Sequence, residues 1–198
     1  GNRDNKDTEF NYSALLGVKG SVTSIWEYDI SAGYSQISRK NVGAHGYIDK
    51  TTLDALASSA TFNPGVTPTT SAALEVWQES KSNLLTVDAV FTGELGEMEN
   101  GAIGIATGVS AFTEELQQDA DAKSVNGLTY GSSGSISNDR RDVQSGFAEV
   151  AFPLTKDLEL DAAARVDRYS DFGTTANPKL SLKYTLNPSV MLRTSVGT

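Results

Sequence analysis

Eight segments of the chain alternate apolar and polar residues with a period of two, the signature of β-strands whose two faces meet different surroundings. They lie near 9–19, 24–37, 80–95, 101–115, 141–154, 157–169, 178–186 and 189–198. In the second, Trp26, Tyr28 and Ile30 alternate with Glu27, Asp29 and Ser31. Leu85 and Val87 head the apolar row of the third segment, and Ile103 and Ile105 that of the fourth. Val150, Leu160, Leu182 and Leu192 stand in the apolar rows of the last four. No apolar row carries a charge, whereas the opposite rows carry Glu149, Asp161, Arg165, Asp167, Lys179, Lys183 and Arg193. A soluble sandwich also alternates, so periodicity alone leaves the surroundings of the apolar rows open.

Three further features favour a transmembrane β-barrel. Connections alternate in length: short near 19–24, 96–101, 155–157 and 187–189, long near 38–74, 115–141 and 170–177. An up-and-down antiparallel meander then gathers the short turns at one end and the long loops, chiefly 38–79 and 116–140, at the other, as outer-membrane barrels do. Aromatic residues (Phe10, Tyr12, Trp26, Tyr34, Phe91, Phe152, Tyr169, Tyr184) cluster near strand ends, as in interfacial girdles. The five prolines, Pro64, Pro68, Pro153, Pro178 and Pro188, are expected in loops or at strand ends, because proline cannot donate to a sheet ladder. Within the first long loop, Thr51 and Asp54 fit a capping box ahead of a short helix with Leu53, Leu56 and Ala57 on one face. The chain opens on polar residues with no signal peptide and stops inside a strand, so it reads as a piece of a longer chain.

Charge and composition narrow the functions. With 16 Lys and Arg against 25 Asp and Glu, the net charge is -9, which argues against a nucleic-acid partner. No cysteine is present, so disulfides, thiolate metal sites and cysteine nucleophiles are excluded, and one histidine, His45, excludes a site that needs two. His45 reads as a solvated side chain without the serine elbow of a hydrolase, and Gly101–Gly104 as a turn rather than a phosphate loop. Asp119 and Asp121, with Glu114 and Glu115 nearby, have oxygen ligands for Ca²⁺ but lack the rest of a calcium loop. No catalytic residue, cofactor or metal ligand is therefore assigned. The mean hydropathy of -0.28 says nothing against a barrel, whose strands hide from hydropathy plots. The charged row on the strands near 141–198 reads as a ladder lining a wet interior.

Gly146–Leu154, Ala163–Gly173, Asn177–Lys179 and Leu192–Ser195 together resemble the barrel of TonB-dependent outer-membrane receptors, most closely over 141–198. The resemblance implies a monomeric barrel of about 22 strands plugged by an N-terminal domain, of which about eight strands are present here. It implies active uptake of a scarce solute, such as a siderophore, cobalamin or oligosaccharide, across the outer membrane of a Gram-negative bacterium. Membrane lipid, a plug domain and the TonB energy-transducing complex are the implied partners; the ligand is unknown. In such a barrel the apolar rows face lipid and the charged row faces the lumen. The alternatives are a complete eight-stranded outer-membrane barrel of structural or adhesin type and a soluble β-sandwich binding module. The isolated stretch is expected to self-associate through unpaired strand edges.

Overall fold

In the computed structural model, which describes residues 3–63 and 65–198, each alternating segment is a strand, and most run further than hydropathy indicates. They are β1 (Asp4–Ser21), β2 (Glu27–Asp49), β3 (Ala73–Met98), β4 (Gly101–Ala120), β6 (Ser137–Pro153), β7 (Leu158–Tyr169), β8 (Gly173–Asn187) and β9 (Val190–Gly197). A two-residue strand, β5 (Thr129–Tyr130), pairs with the far end of β2. The sheet order is β1-β2-β3-β4-β6-β7-β8-β9, an all-β antiparallel meander. It is one sheet rather than two packed layers, and among the described residues no β1–β9 pair closes it into an eight-stranded ring.

Strand ends depart from the hydropathy reading in three places. The connection taken as 38–79 shrinks to 50–72, and that taken as 116–140 shrinks to 121–136 with β5 inside it. There the alternation is diluted: Val42, Ala44 and Ile48 of β2 and Leu74 and Val76 of β3 stand among Arg39, Lys40, His45, Glu75 and Glu79, so no long apolar row marks the extensions. The third long connection, near 170–177, is a three-residue turn before β8, entered through Gly173 at φ +100, a conformation that glycine adopts without steric cost. Pro178 consequently lies inside β8 rather than in a loop, opposite Ala164 of β7. Its carbonyl accepts from the Thr198 N–H at 3.3 Å. The missing Pro178 N–H faces that same side, beyond the last β8–β9 pair, Lys179–Gly197, so the β7 ladder loses nothing. Pro153 ends β6, Pro188 sits in the β8–β9 turn and Pro68 in a loop; Pro64 lies outside the described residues.

The chain divides into two compact units. One comprises Ser13–Tyr34, Leu84–Glu114 and Arg141–Thr198. It holds almost all of the uncharged apolar rows, which span 26–34, 85–95, 103–111, 146–154, 158–166 and 176–186, nine to eleven residues each. A tilted strand crosses a bilayer core in ~9–11 residues. These rows are exposed: Val109 is 63% accessible and Leu192 57%. The other unit comprises the chain up to Tyr12, Ser35–Asn83 and Glu115–Arg140. It carries the polar strand extensions, helix α1 (Lys50–Ala57), the short helix α2 (Ala122–Val125) and a small core of Tyr47, Ala72, Val76 and Ala120.

Glycines in the sheet are covered by aromatic rings of neighbouring strands. A Cβ on Gly108 would stand 2.6 Å from the Phe147 ring, and one on Gly93 2.5 Å from the Trp26 ring. Each ring fills the space a side chain would take, which restores packing that glycine forfeits in a strand. Gly108→Val is therefore expected to displace Phe147 and to destabilise the fold by roughly 1–3 kcal/mol, whereas Gly104→Ala, whose added Cβ meets only the Ala151 methyl at 3.7 Å, is expected to be near neutral. Denaturant unfolding of the full-length protein measures both.

Candidate functional site

Strand register decides which side chains share a face, because directly paired residues of neighbouring strands point the same way. Across β6–β9 the rows read Ser145–Asp167–Thr175, Phe147–Arg165–Asn177, Glu149–Ala163–Lys179–Gly197, Ala151–Asp161–Ser181–Ser195 and Pro153–Glu159–Lys183–Arg193. All seven charged candidates, Glu149, Asp161, Arg165, Asp167, Lys179, Lys183 and Arg193, thus stand on one face. The intervening rows, Val150–Ala162–Leu180–Val196 and Phe152–Leu160–Leu182–Thr194, make the opposite face.

The charges form only part of the expected ladder. Lys183 donates to Glu159 directly across β7–β8 at 2.8 Å. Arg193 stands opposite Lys183, a like charge, and its Nε turns to Met191 Sδ at 3.3 Å instead. Asp167, 5% exposed, accepts from Ser145 Oγ at 2.5 Å and from Arg165 Nε at 2.8 Å along its own strand. Asp161 faces Ala151 and Ser181, and Ala163 separates Glu149 from Lys179. Where β7 turns into β8, Arg141 donates to Asp171 at 2.9 Å and lies over the Phe172 ring, which stacks on Tyr169. That guanidinium holds the Asp171 carboxyl below the usual carboxylate range.

The polar unit holds a second candidate, for which hydropathy gave no sign. A cavity of about 360 Å³ is lined by Arg39 and Asn41 of β2, residues 78–80 of β3, Gln118 and Asp119 of β4, and Ser135. No apolar side chain contributes. Arg39 pairs with Asp7 at 3.1 Å, and Asn41 donates to the same carboxylate at 2.8 Å. Gln78 donates to the Ser133 carbonyl, and Gln118 accepts from Ser135 Oγ at 3.4 Å. Lys40 reaches Glu79 at 3.7 Å and lies over the Trp77 ring. The Leu74, Val76 alternation around Glu75 is the one trace in the sequence that β3 begins early enough to reach this cavity.

Carboxylate caps tie the two longest connections of this unit together. Asp49, not Thr51, caps α1: its Oδ1 accepts from Thr52 N–H at 2.8 Å, and its other oxygen accepts from Lys123 of α2. Asp121 caps α2 through Ser124 N–H at 2.9 Å and also accepts from Trp77 N–H at 3.3 Å. Glu115 accepts from Arg140 at 2.9 Å and from Asn83 at 3.3 Å. Among the described residues no group of three or more His, Asp or Glu side chains is placed to hold a metal ion, so Asp119, Asp121, Glu114 and Glu115 do not converge on one. His45 lies on β2, exposed, 3.8 Å from Asp4.

Lys123, first among the causes, and the Thr52 N–H hold the Asp49 carboxyl below its usual range. A carboxylate depressed in the folded state adds stability that is complete above the unfolded pKa, about 3.9, and is lost as pH falls through the lower folded value. The amide exchange rate at Thr52 and across 122–126, taken relative to that of the unstructured chain at the same pH, is therefore expected to be flat above about pH 5 and to rise below about pH 4. Asp49→Asn, which keeps a capping oxygen but not the charge, is expected to abolish that rise while leaving α1 capped.

A family model described as "TonB dependent receptor-like, beta-barrel" matches residues 1–198. Similar solved structures include the pyoverdine outer membrane receptor FpvA from Pseudomonas aeruginosa PAO1 bound to pyoverdine, at 12% identity and TM-score 0.55 over 91% of this chain and 28% of that one. The RagAB peptide transporter is similar at 13% identity and TM-score 0.55, over 98% of this chain and 23% of that one. The siderophore receptor PirA from Pseudomonas aeruginosa is 14% identical with TM-score 0.47, over 96% and 33%. The chain thus spans between about a quarter and a third of the length of the structures it matches. No curated protein sequence matches it. At such identities the likeness to FpvA and RagAB shows a shared fold.

Proposed function

The chain belongs to the TonB-dependent receptor-like β-barrel family, whose members are transporters rather than enzymes, and on that premise we propose that it forms part of the wall of an outer-membrane receptor that takes up a scarce solute. In this reading the full-length protein sits in the outer membrane of a Gram-negative bacterium, carries a plug inside the barrel and draws energy through TonB. The observation that carries it is the division of faces: seven charged candidates in common rows on β6–β9, and uncharged apolar rows of bilayer length behind them. Leu160 and its row then face lipid, and the charged row faces the lumen. The same assignment puts Trp26, Tyr28, Ile30, Leu85, Val87, Ile103, Ile105, Val150, Leu182 and Leu192 toward lipid.

The polar unit, with the long connections 50–72 and 121–136, is the extracellular end, because barrels of this class keep short turns in the periplasm. Its cavity is the first contact for the incoming solute, and the charged row of β6–β9 faces the lumen. A mobile surface held by side-chain caps rather than by a large core suits a ligand-binding end.

Two measurements test the assignment. Leu160→Arg is expected to destabilise the full-length receptor by roughly 2–4 kcal/mol if it lies near the bilayer midplane, and Asp161→Asn to cost little; the reverse ranking would show that the faces are exchanged. For sidedness, the chain contains no cysteine, so Val66→Cys adds a single thiol at a position 74% exposed in the 50–72 connection. Intact cells are expected to react there with a membrane-impermeant maleimide. Labelling only after the outer membrane is opened would place these loops in the periplasm.

A further inference from the structure

The cavity of the polar unit, taken as the ligand-binding end in the uptake reading on which this inference rests, has a chemistry that selects among solutes. We propose that it takes an uncharged, hydroxyl-rich ligand of the oligosaccharide class, and that it disfavours anionic metal chelates. The argument begins with charge. Arg39 is the one cation on its wall, and Asp7 already holds that guanidinium through Nε at 3.2 Å and Nη2 at 3.1 Å. Glu79 and Asp119 also line the cavity, so its formal charge is negative. A multiply charged anion entering here meets two carboxylates and a guanidinium that is already neutralised, an arrangement that repels rather than steers it. A cation fares no better than a neutral solute: Glu79 is turned to Lys40, and Asp119 Oδ1 accepts from the Ala120 N–H at 2.9 Å.

What the wall does present is amide and hydroxyl groups: Asn41, Gln78, Gln118, Ser80 and Ser135. Each amide is fixed by one bond and keeps further capacity. Asn41 spends one N–H on Asp7 and retains its carbonyl oxygen and a second N–H. Gln78 spends an N–H on the Ser133 carbonyl and retains its own oxygen. Gln118 accepts from Ser135 and retains both amide hydrogens. The wall therefore keeps both donors and acceptors on side chains already fixed by a bond each, which lowers the ordering cost of binding. Sugar hydroxyls, which donate and accept at once, complement that wall. A peptide does not, because the lining offers no apolar pocket for its side chains. The volume, about 360 Å³, lies at the lower end of the ~300–1,000 Å³ typical of ligand sites.

The test uses the purified full-length receptor in detergent and, in parallel, the parent bacterium with and without its gene. Calorimetry is run with three probe sets: neutral tri- to hexasaccharides, ferric tricatecholates and neutral tripeptides. Binding is expected for a neutral oligosaccharide alone, and Gln78→Ala and Gln118→Ala are each expected to weaken it roughly fivefold to tenfold, the loss of one hydrogen bond. Unchanged surface labelling at Val66→Cys shows that the variants are folded; Gln118→Ala leaves the Gln78–Ser133 bond intact, so a loss there is not a loop effect. Binding of chelates or peptides only, or of none of the probes, overturns the proposal. Gene-dependent, TonB-dependent uptake of a chelate in the same cells would leave the uptake reading standing and sink this inference alone. Absence of TonB-dependent uptake of all three probe sets would sink both.

Discussion

In-register pairing of the strands is the constraint on which the rest of this structure depends. Side chains alternate with a period of two, so a slip of one residue between β7 and β8 would carry Leu160 to the face of Lys183 and Asp161 to the face of Tyr184. The observed register keeps Leu160 beside Phe152 and Leu182, and Asp161 beside Ala151 and Ser181. Every other feature of this unit serves the ladder. Trp26 and Phe147 cover glycines that would otherwise leave gaps in the sheet. Pro178 turns its missing N–H away from β7, so the β7–β8 ladder stays complete. In the proposed reading, with the apolar rows facing lipid, the ladder can leave no backbone donor unpaired over them, since each would cost several kcal/mol there.

The polar unit is held differently. Among the described residues its buried apolar core is Tyr47, Ala72, Val76 and Ala120, and the strands that enter it carry only short apolar rows. Order comes instead from carboxylates that each satisfy two partners: Asp49 joins α1 to α2, Asp121 joins α2 to β3, and Asp7 joins Arg39 to Asn41. Each of these bonds is weak on its own, so the geometry of this unit responds to pH and to local opening. Tyr47 illustrates the same economy of core: its ring lies against Gly43, its hydroxyl donates to Asn5 at 2.7 Å, and Arg3 lies over its face.

This difference explains how far the sequence could be read. Where one face is apolar, period-two alternation marks the strand, and the register of β6–β9 sets the seven charged side chains in common rows. Where apolar residues are sparse among charges the signal fades: residues 38–49, with Val42, Ala44 and Ile48, and 73–79, with Leu74 and Val76, read as loop although they are strand, and the cavity lined from them went unread. Helix α1 was legible from its apolar positions, but its cap was not, because Thr51 competes with Asp49 for the role and only the side chain's bond to Thr52 N–H decides between them. The turn at 170–172 was hidden by Asn177–Pro178, a pair that in isolation signals a strand start.

The charged face carries one more consequence. A complete ladder would neutralise every charge across strands, yet only Glu159–Lys183 is paired in that way. Asp161 has Ala151 and Ser181 for neighbours, and Lys179 has Ala163 and Gly197. Buried in a dry interior, such charges would each cost several kcal/mol. Asp167 shows the alternative: at 5% exposure it is satisfied by a serine hydroxyl and a guanidinium within 2.8 Å. A chain that equips its buried carboxylate so fully, and leaves Asp161 and Lys179 among neutral neighbours, distributes its charges for a face that stays wet or meets a charged surface. On the same energetic ground, charges so distributed suit contact with water or a polar surface better than an apolar filling.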